Sequence, residues 1–364
     1  MTLERDARFV CRLVATGLCS PPGALPPDPP RVPQEWARID TLAARCGLGE
    51  ALHHAAQRAM SGESRGALPH CRAAALYAEG RTRQLLHRAA VVSGALAEAG
   101  LPAIALKGLV LATTVYPAPG ARLMTDIDLL VRPADLAAAE ALLDRLGYVV
   151  AVDERFARRL RWTHHHLPPR RHPTFGDVIE LHHGLVPRSA KYPIDVEALW
   201  RDARPLAPLP DLGALSDADL LVHQMLHLLH SSPVAGRLRD LLDLHLIAAG
   251  RFTDAGAWEA LAERAARFGL TRTLAIAAHL MTRVFETAVP LGWLEALRRG
   301  TDVDDATLAR FFAGVTADLC DRPDARVVRW LALRKMWLER PTAPTAARLV
   351  GAVLVDAWRG GTRE

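Results

Sequence analysis

Lysine is nearly absent from this chain. Of its 364 residues only Lys107, Lys191 and Lys335 are lysines, so the net charge of +5 comes almost wholly from arginine. A modest basic excess suits anionic ligands such as nucleotides, but it is too weak and too dispersed to point to DNA or RNA. Long apolar runs are missing as well: nothing approaches the roughly 20 uninterrupted residues that span a bilayer. The N-terminal "MTLERDARFVCRLVATG" carries charges where a signal peptide needs its apolar core. The expectation is therefore a cytoplasmic protein without a membrane segment. The cysteines, Cys11, Cys19, Cys46, Cys71 and Cys320, are an odd set without CxxC spacing, which argues against a disulfide framework and against a thiolate zinc site. They are expected to be reduced and mostly buried. There is no tandem repeat, and the one compositional bias is the proline-rich "CSPPGALPPDPPRVP" near the N-terminus.

What remains is an ordinary globular composition, half hydrophobic, with length for two or three packed units. Residues 1–33 are expected to form a proline-rich arm. Residues 34–100 read as helical, ending in a long run of alanines and leucines stopped by Gly100. Residues 101–205 alternate short strands with helices: "AIAL", "MTDIDLLV", "YVVAV" and "FGDVIELHHGLV" as strands, "LVLATTVY" as a helix stopped by Pro117. "PADLAAAEALLDRLG" is a helix with Pro133 at its start and Gly147 at its end. A loop carrying "RWTHHHLPPRRHP" precedes the last of those strands. From 206 to 364 only amphipathic helices are expected, and strands stop beyond Pro210.

The chemistry concentrates in "MTDIDLLV". Side chains alternate faces along a strand, so Asp126 and Asp128 project from one side and Ile127, Leu129 and Val131 from the other. Two carboxylates side by side repel unless a cation lies between them, and oxygen ligands on one face suit magnesium. An arbitrary DxD is as often a solvated edge strand. In "FGDVIELHHGLV" the same alternation puts Val178, Glu180 and His182 on one face, so a neighbouring strand could bring Glu180 up to the aspartates. Lys107 and Gly108 stand at a strand-to-helix junction, where a glycine admits a phosphate to backbone N–H groups and a lysine adds a point charge. Arg122, just before the acidic strand, could reach a triphosphate as well, and His182 could contact a phosphate.

The order of strand, Lys107-Gly108, helix, "YP", Arg122, "DIDLLV", helix, "GY" and "ELHHGL" resembles the bacterial uncharacterised nucleotidyltransferase family, a branch of the DNA polymerase β-like superfamily. The resemblance runs from about Leu85 to Ile247. It implies an α+β fold: a small mixed sheet with helices, flanked by N-terminal helices and a C-terminal helical domain. It also implies NMP transfer from an NTP, ATP being the first expectation, with Mg2+ or Mn2+ as cofactor. On it Asp126 and Asp128 carry the metals, Glu180 is the third acid and Lys107-Gly108 holds the phosphates. Two features depart from the wider superfamily. Gly108 is followed by Leu109 rather than serine, the Lys-Gly form being that of this branch, and the third acid is Glu rather than Asp. The acceptor stays open among a small molecule, a peptide, a protein side chain and an RNA end.

Other readings compete. A glycosyltransferase also uses DxD, but after a larger nucleotide-binding fold than the single strand expected here; a non-catalytic nucleotide-binding module is the third alternative. His223, His227 and His230 share a helix face, without the glutamate of HExxH, and read more readily as core or interface histidines than as zinc ligands. His164 to His166 read as a solvated loop, and Arg237, Arg239, Asp240 and Asp243 as an ion network on a helix surface.

Overall fold

The computed structural model describes residues 3–19, 29–30, 32–59, 68–187, 190, 192–230, 237–319 and 330. Four helices come first: α1 (Arg5–Cys19), α2 (Pro33–Arg45), α3 (Gly49–Ala59) and α4 (Pro69–Glu98). The middle alternates: β1 (Ala103–Ala105), α5 (Lys107–Thr114), β2 (Ile127–Val131), α6 (Leu136–Arg145), β3 (Val149–Val150), α7 (Glu154–Thr163), β4 (Arg170–Arg171) and β5 (Val178–His182). There follow α8 (Val196–Arg201), β6 (Arg204–Pro205), β7 (Leu212–Ala214), and then α9 (Asp217–His230), α10 (Leu238–Arg251), α11 (Ala255–Arg267), α12 (Thr271–Phe285), α13 (Leu291–Arg299) and α14 (Asp305–Val315).

Local chemistry sets many of these boundaries. Asp153, Asp195, Asp254 and Asp304 each accept a hydrogen bond from the backbone N–H three residues on, capping α7, α8, α11 and α14. Gly100 and Gly147 end α4 and α6 in the left-handed conformation that glycine adopts at little steric cost.

The seven strands form one mixed sheet in the order β3-β4-β5-β2-β1-β7-β6. β2 is antiparallel to β1 and parallel to β5. Apolar residues of the sheet, of the helices before it and of those after it belong to one contiguous buried cluster.

Three expectations change. Residues 5–19, placed in a proline-rich arm, form α1: the first proline is Pro21, and ahead of it Phe9, Val10, Leu13, Val14 and Leu18 are buried. A side chain at Gly17 would put its Cβ 2.7 Å from Ala55 Cβ, so glycine is what lets α1 lie this close to α3. Strands do not stop at Pro210, because β7 pairs in parallel with β1, Ala103 opposite Leu212; three residues are too few to show alternation. The stretch expected to be a loop between "YVVAV" and "FGDVIELHHGLV" contains α7 and β4. The prolines of residues 20–28, with Cys320, Lys191 and Lys335, lie outside the described residues. Of the other cysteines, Cys11, Cys46 and Cys71 are buried and Cys19 is exposed, all as free thiols. Among the described residues no helix is long and apolar enough to cross a membrane.

Candidate active site

The acidic face is built by two central strands. β2 and β5 run parallel with Asp128 opposite Glu180 and Leu130 opposite His182. Because alternate residues share a face, Glu180 and His182 both stand beside Asp128. His182 Nε2 lies 2.8 Å from Asp128 Oδ1 and 3.6 Å from Glu180 Oε2. Asp126 sits just ahead of β2, where the Thr125 hydroxyl donates to its Oδ1 at 3.0 Å.

β1 delivers the lysine. The Leu106 N–H donates to the carbonyl of Asp128 at 3.0 Å, and the chain then turns at Lys107 into α5. Lys107 has φ +42°, in the left-handed region that residues with a Cβ avoid at a cost of about 1–2 kcal/mol. Its ammonium donates to Asp128 Oδ1 at 3.0 Å.

Burial and charge then divide the acids. The Asp128 side chain is 1% exposed and that of Glu180 19%. Burial alone would raise the Asp128 pKa, but the Lys107 charge and the His182 hydrogen bond outweigh it and hold the carboxyl well below its ordinary range. Asp126 goes the other way: burial, then the neighbouring Asp128 charge, push it up to about 6 against the opposing pull of Lys107. Burial lowers the pKa of Lys107, yet Asp128, Glu180 and Asp126 together raise it above its usual value, so the ammonium stays charged.

The ligand atoms of Asp128, Glu180 and His182 lie within 4.8 Å of one another, the one such converging group among the described residues. Two carboxylates and an imidazole, with Asp128 sealed from water, fit a divalent cation. Asp126 falls outside that group, although its charge acts on Lys107 and it is itself shifted by Asp128.

Arg122 is placed differently from the other sequence candidates. It is 7% exposed, and its Nε and Nη2 both donate to the Asp243 carboxylate of α10 at 2.8 Å. The Tyr116 hydroxyl donates to the same carboxylate at 2.7 Å. The remaining nitrogen, Nη1, faces Gly108: a Cβ on that glycine would lie 3.2 Å from it and 3.5 Å from Met124 Cγ. In this structure Gly108 therefore makes room for Arg122 beneath the first turn of α5. Asp243, read from sequence as part of a surface ion network, is fully buried, and so is most of Asp240. Helix periodicity offers no signal for such a partner 121 residues from Arg122.

Histidines wall the acidic face. His165 and His166, expected in a solvated loop, pack their rings 5.3 and 5.2 Å from that of His182, and His166 Nδ1 donates to the Leu167 carbonyl at 2.8 Å. Burial, then the neighbouring histidines, push the His165 pKa far down. On α9 His223 is buried and its pKa is held well below normal by burial and then by the charge of Lys107, so this helix borders the site. Burial takes His227 down to about 3. His230 meets Thr273 Oγ1 at 3.4 Å. These histidines line the core and join no metal-ligand group among the described residues.

Only one short strand, β1, precedes the acidic strand, so the larger nucleotide-binding fold of the glycosyltransferase reading is not found ahead of it among the described residues. No curated protein matches the chain. Among solved structures, a solution structure of the antibiotic-resistance factor ANT(2'')-Ia is similar at 17% identity, over 54% of this chain and 96% of that one, with a TM-score of 0.34. The profile of a nucleotidyltransferase family described as uncharacterised matches residues 33–286, a span that takes in α2 to α12 and every strand of the sheet. With well over half of its length matched, the chain belongs to the uncharacterised nucleotidyltransferase family.

Proposed function

We propose that the protein moves a nucleoside monophosphate from an NTP, ATP in the first instance, to an acceptor hydroxyl or similar group, with release of pyrophosphate. The observation that carries this reading is the pairing of Asp128 with Glu180 across parallel strands, with Lys107 on Asp128 at the start of α5. Family membership supplies the reaction class.

The roles follow from exposure and charge. Asp128 and Glu180 are the carboxylates that would hold a divalent cation, with the His182 imidazole beside them. Bound there, such a cation supplies charge neutralisation for the triphosphate and the departing pyrophosphate. Lys107, with a side chain 17% exposed, offers its ammonium to the phosphates beside the N–H groups of the first turn of α5. Glu180 is the more open member of the acidic pair and so the one an acceptor can reach; it takes the acceptor proton. Arg122 acts from below, its Nη1 adding positive charge under Gly108 while Asp243 holds the rest of the guanidinium. Helices α9 and α10 wall the site, and we assign acceptor contacts to that wall. The acceptor itself is a small molecule, a peptide, a protein side chain or an RNA end.

The test is release of labelled AMP products and pyrophosphate from α-labelled ATP with a divalent cation, comparing wild type with Asp128→Asn. Slow turnover by wild type, to water or to added acceptors, and none by a folded Asp128→Asn is expected. Equal turnover by the two removes the site.

A further inference from the structure

We infer that His182 is a metal ligand, so that the site formed with Asp128 and Glu180 selects a first-row transition dication over Mg2+. The inference rests on the reading of this acidic face as a cation site.

Three observations carry it. The first is spacing. Two ligands about 2.1 Å from one ion and at right angles to each other are about 3 Å apart. His182 Nε2 stands 2.8 Å from Asp128 Oδ1 and 3.6 Å from Glu180 Oε2, which brackets that separation. An imidazole nitrogen therefore occupies the place where an all-oxygen site would have a carboxylate or water.

The second is the ring's other nitrogen. His182 is fully buried, and its Nδ1 has no hydrogen-bond partner. Nothing fixes the ring proton on Nε2 except the contact with Asp128 that a cation would replace. Moving that proton to Nδ1, which frees the Nε2 lone pair, sacrifices no other hydrogen bond.

The third is rigidity. The ring is held by β5 on one side and by the tilted His165 and His166 rings packed against it on the other, so the donor is preorganised rather than swung in. A fixed imidazole favours transition metals over magnesium, which prefers oxygen ligands and retains water.

Metal binding is measured on the full-length protein without NTP, so that the result does not depend on turnover. Mn2+ is titrated by EPR and Mg2+ by competition against it. Wild type should prefer Mn2+ by a factor on the order of 10–100, and His182→Asn should lose most of that preference while keeping its Mg2+ affinity. Pulsed EPR of Mn2+ bound to wild type should show modulation from a directly coordinated imidazole nitrogen, a readout that needs no variant to fold. Absence of that nitrogen signal, or an unchanged metal preference in folded His182→Asn, overturns the inference and leaves the transfer reading standing. Failure of both ions to bind removes the cation site itself, and Glu180→Gln, expected to weaken both ions alike, tells which ligand set is being measured.

Discussion

Arg122 holds the carboxylate of Asp243 through two hydrogen bonds of 2.8 Å, and in doing so fastens α10 to the segment that leads into the acidic strand. Both groups are out of water, and Tyr116 adds a third bond to the same carboxylate. Removing one partner of a buried ion pair leaves the other charge uncompensated, which costs about 3–5 kcal/mol. Asp243→Asn should lower the stability of the whole protein by that amount, read as a shift of the urea midpoint. A midpoint equal to that of wild type would show that the pair contributes nothing.

The left-handed Lys107 separates backbone strain from charge. Lys107→Ala and Lys107→Gly both remove the ammonium from Asp128, but only glycine adopts φ +42° without steric cost. The glycine variant should be more stable than the alanine variant by about 1 kcal/mol, and the two should bind NTP equally weakly. Chemical denaturation with nucleotide titration checks both halves; an alanine variant as stable as the glycine one would mean that the turn relaxes freely.

Glu180 faces Asp128 in register yet keeps contact with solvent. If it accepts the acceptor proton, Glu180→Gln should lower kcat by roughly 10²–10⁴ with NTP affinity near that of wild type once cation is saturating. Steady-state kinetics at high cation concentration decides this, since a loss confined to KM would leave Glu180 a binding residue only.

Stability should fall in mild acid because of histidines kept neutral inside the fold. His245, between Thr287 Oγ1 at 2.8 Å and the ring of Phe285, is brought down by burial to about 4 despite a backbone hydrogen bond at Ala15. The unfolded chain takes up its proton near pH 6.5. Between about pH 6.5 and 4 the unfolded state therefore binds more protons, and folding loses free energy as pH falls. For His245 alone the loss at pH 5 relative to pH 8 is about 2 kcal/mol. Urea midpoints at the two pH values should differ accordingly, and His245→Gln should reduce the difference; an identical pH dependence in that variant would put the effect elsewhere.

The acids and their immediate company were legible in the residues themselves. Period-two alternation is local, so Glu180 and His182 had to share a face of β5, and Lys107-Gly108 had to open a helix after a short apolar strand. The helices after β7 likewise announce themselves through repeating apolar positions and aspartate caps. The errors fell where local pattern runs out. Prolines from Pro21 onward hid the amphipathic α1 ahead of them, and the two or three residues of β4, β6 and β7 show no period at all.

Partner choice across the chain was decided by tertiary structure alone. Nothing in "MTDIDLLV" says that Asp128 faces Glu180 and Lys107, or that His182 Nε2 reaches the same oxygen as the lysine. The same holds for Arg122, whose charge suggested a phosphate contact and whose buried Nε and Nη2 hold Asp243. Alternation and helical period follow from backbone geometry over a few residues and are written in any short stretch. Which carboxylate meets which cation depends on strand order, register and the seating of α9 and α10, which only packing of the whole chain around one apolar core determines.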